Sequence, residues 1–398
     1  MNLASRKVFD VLVVGAGPVG LFAALGLARA GAAVAVIEKE KRTKLHSYAL
    51  ALHASTLRLL DQSGLADTLV ARGHRIDRVA FYEGPERRAE LDLTAVGGKF
   101  PHLIVLPQSD LEYALLEALA QAGVKPHWNR ELVELRPDVG SVGAEIADIE
   151  EVTGGYPIMH SSRMRARTRP VQASFAIGAD GHHSLVRRLI RGGFEPLGPP
   201  TAYVILEFLS RAAAPDDEVR IVLDGSTTSV LWPMGAGRFR WTLQIEHAAP
   251  PADTAAILAL ARSRAPWFRA KPTDTPWTTT VAFDRRLSNL LGVGRVWLAG
   301  DAAHATEPIG VQSMNAGLHE AHDLATALNH LRAEAKGADL LERYRDRTRA
   351  TWHRLLGLAP LPPTAWATPW LATHAPRLLP CLPATGDDLD ALLAQWRA

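Results

Sequence analysis

Residues 8–40 read VFDVLVVGAGPVGLFAALGLARAGAAVAVIEKE. Val11–Val14 form a continuous apolar run, as expected of a parallel strand covered on both faces. Gly15-Ala-Gly17-Pro18-Val-Gly20 follows, then an Ala/Leu-rich segment with helical character to about Arg29. Gly31 stands where such a helix would end. A second apolar run, Ala33–Ile37, closes on Glu38 and Lys39. Strand, glycine turn, helix and strand make a β-α-β unit. In its G-x-G-x-x-G turn the first glycine permits a tight bend and the second lets the backbone approach a pyrophosphate. The third lets helix and strand pack closely. The helix N-terminus offers free N–H groups to phosphates. Glu38, 18 positions after Gly20, is placed to accept from a ribose. The turn alone does not separate FAD from NAD.

Two further strand-to-helix junctions lie downstream. IGADGHHSLVRRLI (177–190) sets Asp180 and Gly181 at a strand end, with Arg187 and Arg188 on the next helix. By itself it reads equally well as a helix capped by Asp180 or Ser184. GDAAHATEPIGVQSMNAG (300–317) follows the apolar run Val296–Ala299. Asp301 there can bind a sugar-alcohol hydroxyl, and the backbone after Gly310 opens a helix near Met314 whose N–H groups can face an anion. GAGRFR (235–240) and GVGRVW (292–297) lack the third glycine, so no second complete fingerprint is present.

Bulk properties narrow the class. The 398 residues carry a net charge of +2, and 47% are hydrophobic. That is a globular balance of two or three domains with no electrostatic case for nucleic acid. The single cysteine, Cys381, excludes an intramolecular disulfide and a cysteine-based metal site, and we expect a cytoplasmic protein that binds no metal. No window reads as a signal peptide or a membrane span. Helical spacing marks 54–62, 109–122, 253–263, the run after Met314, and 338–356. A hairpin is expected over 77–93, and four β-rich segments over 200–247, with a strand at 277–284.

In series, GAGPVG, GADGHHSLVR and GDAAHATEPIG resemble the class A flavoprotein monooxygenases, the para-hydroxybenzoate hydroxylase-like group, over roughly residues 8–355. LPQSDLEYALLEAL (106–119) resembles the segment in which that family's glutamine touches the flavin, and LWPMGAGRFRWTLQIE resembles its substrate-domain strands. The resemblance implies an α/β fold: a Rossmann-like FAD-binding domain with an inserted, mainly antiparallel β-sheet substrate domain and C-terminal helices. We divide the chain accordingly. The FAD-binding domain takes 1–75, 101–190 and 285–356; the substrate domain takes the hairpin 76–100 and the sheet 191–284; an irregular tail covers 357–398.

The family pattern puts FAD on Gly15, Gly17, Pro18, Gly20, Glu38 and Lys39 at its ADP half. Gln108, Asp180, Gly300 and Asp301 follow, and the backbone of Pro308, Gly310, Met314 and Asn315 lies against the ring system. Asp180, Gly181 and Arg187 would also serve NADPH or NADH. Two departures stand out: Tyr48, or His46, replaces an arginine, and the family's Gly-Gly-Gln-Gly is Gly310-Val311-Gln312-Ser313.

The activity implied is hydroxylation or epoxidation of an aromatic or polycyclic molecule through a C4a-hydroperoxyflavin, with O2 and NAD(P)H consumed, in bacterial secondary metabolism. Tyr203, Phe208, Trp232, Met234 and Trp241, together with Pro308, are candidate pocket residues, each also readable as core. His46, His53 and His304 are weak candidates for a base that would ionise a phenol. A FAD-dependent reductase or dehydrogenase, a ubiquinone-precursor hydroxylase and a non-catalytic FAD-binding protein stay open. Monomer and homodimer are both compatible.

Overall fold

The computed structural model describes residues 8–41, 50–154, 160–210, 216–246, 251, 253–269, 271–274, 276–334, 338–359 and 365–397. His46 and Tyr48 lie outside this set.

Strand Val8–Val14 is central to the first sheet. It pairs in parallel with Val34–Ile37 on one side and with the long strand His160–Gly178 on the other. That strand pairs in parallel with Val296–Leu298. Register brings Ile37, Val14, Gly178 and Leu298 into one row, so all four strands end together. One face is covered by the helices Pro18–Arg29, Gln108–Gln121 and Gln312–Glu334, whose Leu21, Leu25, Leu111, Leu115, Leu318 and Leu324 share a core. The other face packs on Leu132, Leu135 and Ile146 of Arg130–Pro137 and Val142–Gly154, which pair antiparallel with each other and, through the second, with His160–Gly178.

The second sheet has seven strands in the order Trp277–Phe283, Thr201–Leu209, Arg238–Ile245, Thr227–Pro233, Glu218–Asp224, Arg78–Glu83 and Glu86–Asp92. Every pairing is antiparallel except Glu218–Asp224 with Arg78–Glu83. The hairpin over 78–92 thereby extends the sheet formed by the later strands.

Alternation gives this sheet two apolar faces. Val204, Leu206, Phe208, Phe239, Trp241 and Leu243 point outward, under the helix Thr254–Arg264 and Phe268. Tyr203, Val230 and Trp232 point inward and meet Ile309, Val311 and the C-terminal residues Leu371, Leu378 and Leu382.

The tail is not irregular, as its proline and tryptophan content suggested. It folds as two helices, Pro369–Leu378 and Gly386–Ala394. The first starts on a Thr368 cap with Pro369 at its first position, where a missing N–H costs nothing. Leu371, Ala375 and Leu378 then recur at helical spacing. Among the described residues no helix is long and apolar enough to cross a membrane.

Candidate functional site

The common end of the four parallel strands gathers the three glycine junctions. Gly15 has φ +108°, and a Cβ there would run into the Ala179 carbonyl; a Cβ on Gly20 would run into the Gly15 carbonyl. Gly17 has nothing within 4 Å of where its Cβ would stand. So two glycines are needed for packing, and the middle one faces open space. Gly17 is also the N-cap of the helix Pro18–Arg29 and supplies no side-chain bond to it, so the first-turn N–H groups lack a side-chain acceptor there. Glu38 accepts from Ala16 N–H at 2.8 Å and Glu40 N–H at 3.0 Å, which pins the carboxylate beside the turn. Lys39 is exposed next to it.

Asp180 caps the helix Leu185–Leu189 through Oδ2, accepting from Leu185 N–H at 2.7 Å and Val186 N–H at 3.1 Å. Its Oδ1 is buried with no partner among the described residues. Arg187 was read as supporting the Asp180–Gly181 segment toward a nicotinamide nucleotide. Its guanidinium is buried, donates to the carbonyls of Ala302 and His182 at 2.8 Å each, and lies 3.7 Å over Phe194. It ties the second junction to the third. Gly181, with φ +76°, faces open space.

At the third junction a Cβ on Gly317 would stand 3.1 Å from Gly300 Cα, so strand end and helix touch backbone to backbone. Asp301 is exposed, and the Ser313 hydroxyl donates to its Oδ1. Behind it the buried Glu320 accepts from Gly300 N–H at 2.9 Å and Trp352 Nε1–H at 2.7 Å. It also pairs with His304 Nε2 at 2.9 Å. Burial pushes the Glu320 carboxyl up, but His304, Trp352 and the Gly300 N–H outweigh it and hold the group below the usual carboxylate range. His304 is wholly buried and stacked on Trp352 at 3.7 Å.

The Pro308–Asn315 loop is fixed from several sides. Asn315 donates to the Val311 and Ala51 carbonyls and accepts from His53 N–H at 2.9 Å. His53 Nε2 faces the Gly310 carbonyl at 3.0 Å. Val311 has φ +51°, a strained conformation for a β-branched residue. Strain of this kind persists where the surroundings over-determine it, and here Asn315 and the tail do so. The Met314 side chain packs in the helix core, leaving only its backbone toward the loop. Gln108 begins its helix and donates to Glu112 Oε1 at 2.6 Å.

Of the expected pocket residues, Tyr203, Trp232 and Met234 lie on the inner face with Ile309 and Val311. Phe208 and Trp241 are on the outer face and pack under a helix instead. In the pairing Leu231 lies opposite Trp241, so Trp241 shares the side of Leu231 and not that of Trp232. The Tyr203 hydroxyl donates to Glu307 Oε2 at 3.0 Å, and Thr201 donates to Glu307 Oε1 at 2.8 Å. Burial and the Glu307 carboxylate push the Tyr203 hydroxyl well above its ordinary pKa.

The His53 ring is a poor base, because burial lowers it to about 3. Glu307 and Glu320 were missed in the sequence. The signal for Glu320 was its position three residues after Gly317 and four before Leu324, an acid on the apolar face of a helix.

The open space at Gly17, the orphaned Asp180 Oδ1 and the exposed Asp301 edge fit an extended dinucleotide carrying a polyol. A family model described as FAD binding domain matches residues 8–358. The chain belongs to this FAD-binding family. FAD is its cofactor.

Among curated relatives of this FAD-binding chain is the 6-methylpretetramide 4-monooxygenase of Streptomyces rimosus, 30% identical over 84% of this chain and 58% of the relative. A rifampicin monooxygenase of Streptomyces venezuelae is 30% identical over 80% and 64%. The chain thus spans about three fifths of the length of these relatives. The solved p-nitrophenol 4-monooxygenase of Pseudomonas putida covers 98% of this chain and matches over 97% of its own, at 23% identity and a TM-score of 0.77. That likeness confirms the α/β fold with its second sheet. Among the described residues no group of three or more His, Cys, Asp or Glu side chains is placed to hold a metal ion.

Proposed function

We propose that this chain is a flavin-dependent monooxygenase that consumes NADPH or NADH and O2. It hydroxylates or epoxidises an aromatic or polycyclic small molecule in bacterial biosynthesis, acting in the cytoplasm as a monomer or homodimer. One observation carries the reading. The inner face of the second sheet, with Tyr203 and Trp232, closes on Ile309 and Val311 of the loop expected to lie against the flavin ring. A planar apolar substrate held there is next to the cofactor and out of water. Two curated relatives, a 6-methylpretetramide monooxygenase and a rifampicin monooxygenase, support the substrate class.

When bound, FAD supplies electron transfer from NAD(P)H and the activation of O2. The chain supplies binding and orientation. The Gly15–Gly20 turn and Glu38 hold the ADP half, and Gln108, Asp180 and Asp301 hold the polar middle. The pinned Gly310–Val311 backbone fixes the ring. Glu307, already holding the hydroxyl protons of Thr201 and Tyr203, gives the substrate face one fixed acceptor for a phenolic proton.

The test is incubation of FAD-loaded protein with NADPH, labelled O2 and a panel of aromatic polyketides. Product carrying one labelled oxygen is expected. Substrate-dependent NADPH consumption without label in the product means a reductase or dehydrogenase. No consumption with any substrate or with NADH means a FAD-binding protein without turnover.

A further inference from the structure

Behind Asp301 runs a line of hydrogen bonds that the glycine turn does not need. We propose that Glu320, His304 and Ser313 are positioning residues that hold the Asp301 carboxylate in the orientation in which it takes the ribityl hydroxyls of FAD. The proposal rests on FAD binding, and not on the monooxygenase reading.

The line has a deep anchor and an exposed end. Glu320 is buried on the apolar face of the helix Gln312–Glu334, where an unpaired carboxylate would be costly. Three donors converge on it. Two of them, Gly300 N–H and His304 Nε2, share Oε2, and Trp352 Nε1–H takes Oε1. Gly300 immediately precedes Asp301, so Glu320 fixes the backbone from which the Asp301 side chain departs.

His304 cannot rotate, because its ring is stacked on Trp352 at an interplanar angle of 21°. Its Nδ1 therefore faces Ser313 Oγ, 3.5 Å away. Ser313 has a single hydroxyl proton, and it goes to Asp301 Oδ1. The Ser313 lone pairs are then left on the side of His304 Nδ1.

A buried carboxylate–imidazole pair is weak evidence for stability alone. This one leads, through one hydroxyl, to an exposed carboxylate at the cofactor edge. Ser313 is also where the related motif carries glycine, which has no hydroxyl to relay the constraint. An exposed aspartate without it would sample several rotamers and lose that entropy on binding.

The test uses apoprotein titrated with FAD, followed by flavin fluorescence, with ADP as a second probe that reaches only the Gly15–Gly20 half. Ser313→Ala is expected to weaken FAD about tenfold, the scale of one hydrogen bond to a charged group. ADP affinity and the apoprotein Tm should stay at their wild-type values, and Ser313→Thr, which restores the hydroxyl, should recover FAD affinity. Ser313→Ala binding FAD as tightly as wild type overturns the proposal. So does parallel loss of FAD and ADP affinity, which would mark a general structural effect. Labelled-oxygen transfer to substrate has no bearing on any of these outcomes.

Discussion

Gly310 backs onto Pro380 so closely that a Cβ at Gly310 would run into the Pro380 carbonyl oxygen. Beside this contact the buried Gln312 donates its amide to the carbonyls of Leu382 and Ala384. The backbone at Gly310 and the C-terminal segment are therefore one packed unit. Gly310→Ala should force them apart at a cost of about 1–3 kcal/mol, the usual scale of overpacking. The expected result is a lower Tm and faster proteolysis within residues 365–397. An alanine variant with wild-type Tm and protease resistance would show that the segment yields without cost.

His53 holds the other side of that loop, and its ionisation gives a pH signature. Burial lowers its pKa to about 3, against 6.5 when unfolded. The folded protein keeps the ring neutral while the unfolded chain takes up a proton. The stability His53 contributes is thus fully present above pH 6.5 and is lost as the pH falls toward 3. The slope is about 1.4 kcal/mol per pH unit for one proton. His53→Gln keeps a donor toward the Gly310 carbonyl and removes the titration. Urea unfolding between pH 7 and pH 4 should show the variant losing less stability than wild type. Parallel curves would refute the assignment.

Glu320 adds a second loss of stability on acidification, beginning at lower pH. Its folded pKa lies below the unfolded value of 4.5. Its contribution is present above pH 4.5 and is lost as the pH falls through the depressed folded value. Glu320→Gln removes the charge opposite His304 and turns an amide donor toward existing donors. A loss of about 3–5 kcal/mol at pH 7 follows, the scale for breaking a buried pair. The gap between wild type and variant should narrow below pH 4.5, measured by chemical unfolding at each pH. A constant gap down to pH 3 would mean that the carboxyl titrates alike in the folded and unfolded protein, and would refute the lowered folded value.

The glycine junctions were legible because each combines a strand, a backbone constraint and a helix start within a dozen residues. Their convergence needed only the rule that parallel strands end together, and the row Ile37, Val14, Gly178 and Leu298 obeys it. Facing was harder. Tyr203 and Phe208 are five residues apart on one strand, an odd spacing that already puts them on opposite faces. Trp232 and Trp241 sit on different strands, and only their register separates them. Arg187 was legible as a cation at the second junction, but its partners, carbonyls 302 and 182, are met only in three dimensions. The tail helices were hidden by Pro369, Pro376 and Pro380, which mask the short apolar repeats around them.

The two tryptophans allow the substrate face to be tested directly. Trp241 is fully buried between Phe268 and Trp267 on the outer face. Trp241→Ala should cost about 3–5 kcal/mol, as for other large-to-small core changes. Its effect on KM should be small at a temperature where the variant is folded. Trp232 is buried to a similar degree, but on the face shared with Ile309 and Val311. Trp232→Ala also opens a cavity and lowers Tm, so stability alone does not distinguish the two positions. Substrate selection does: enlarging the inner face should raise KM for the preferred aromatic substrate and admit bulkier ring systems, and Trp241→Ala should do neither. Steady-state kinetics with substrates of graded size would decide it. Equal shifts in KM for both variants would remove the inner face from the substrate site.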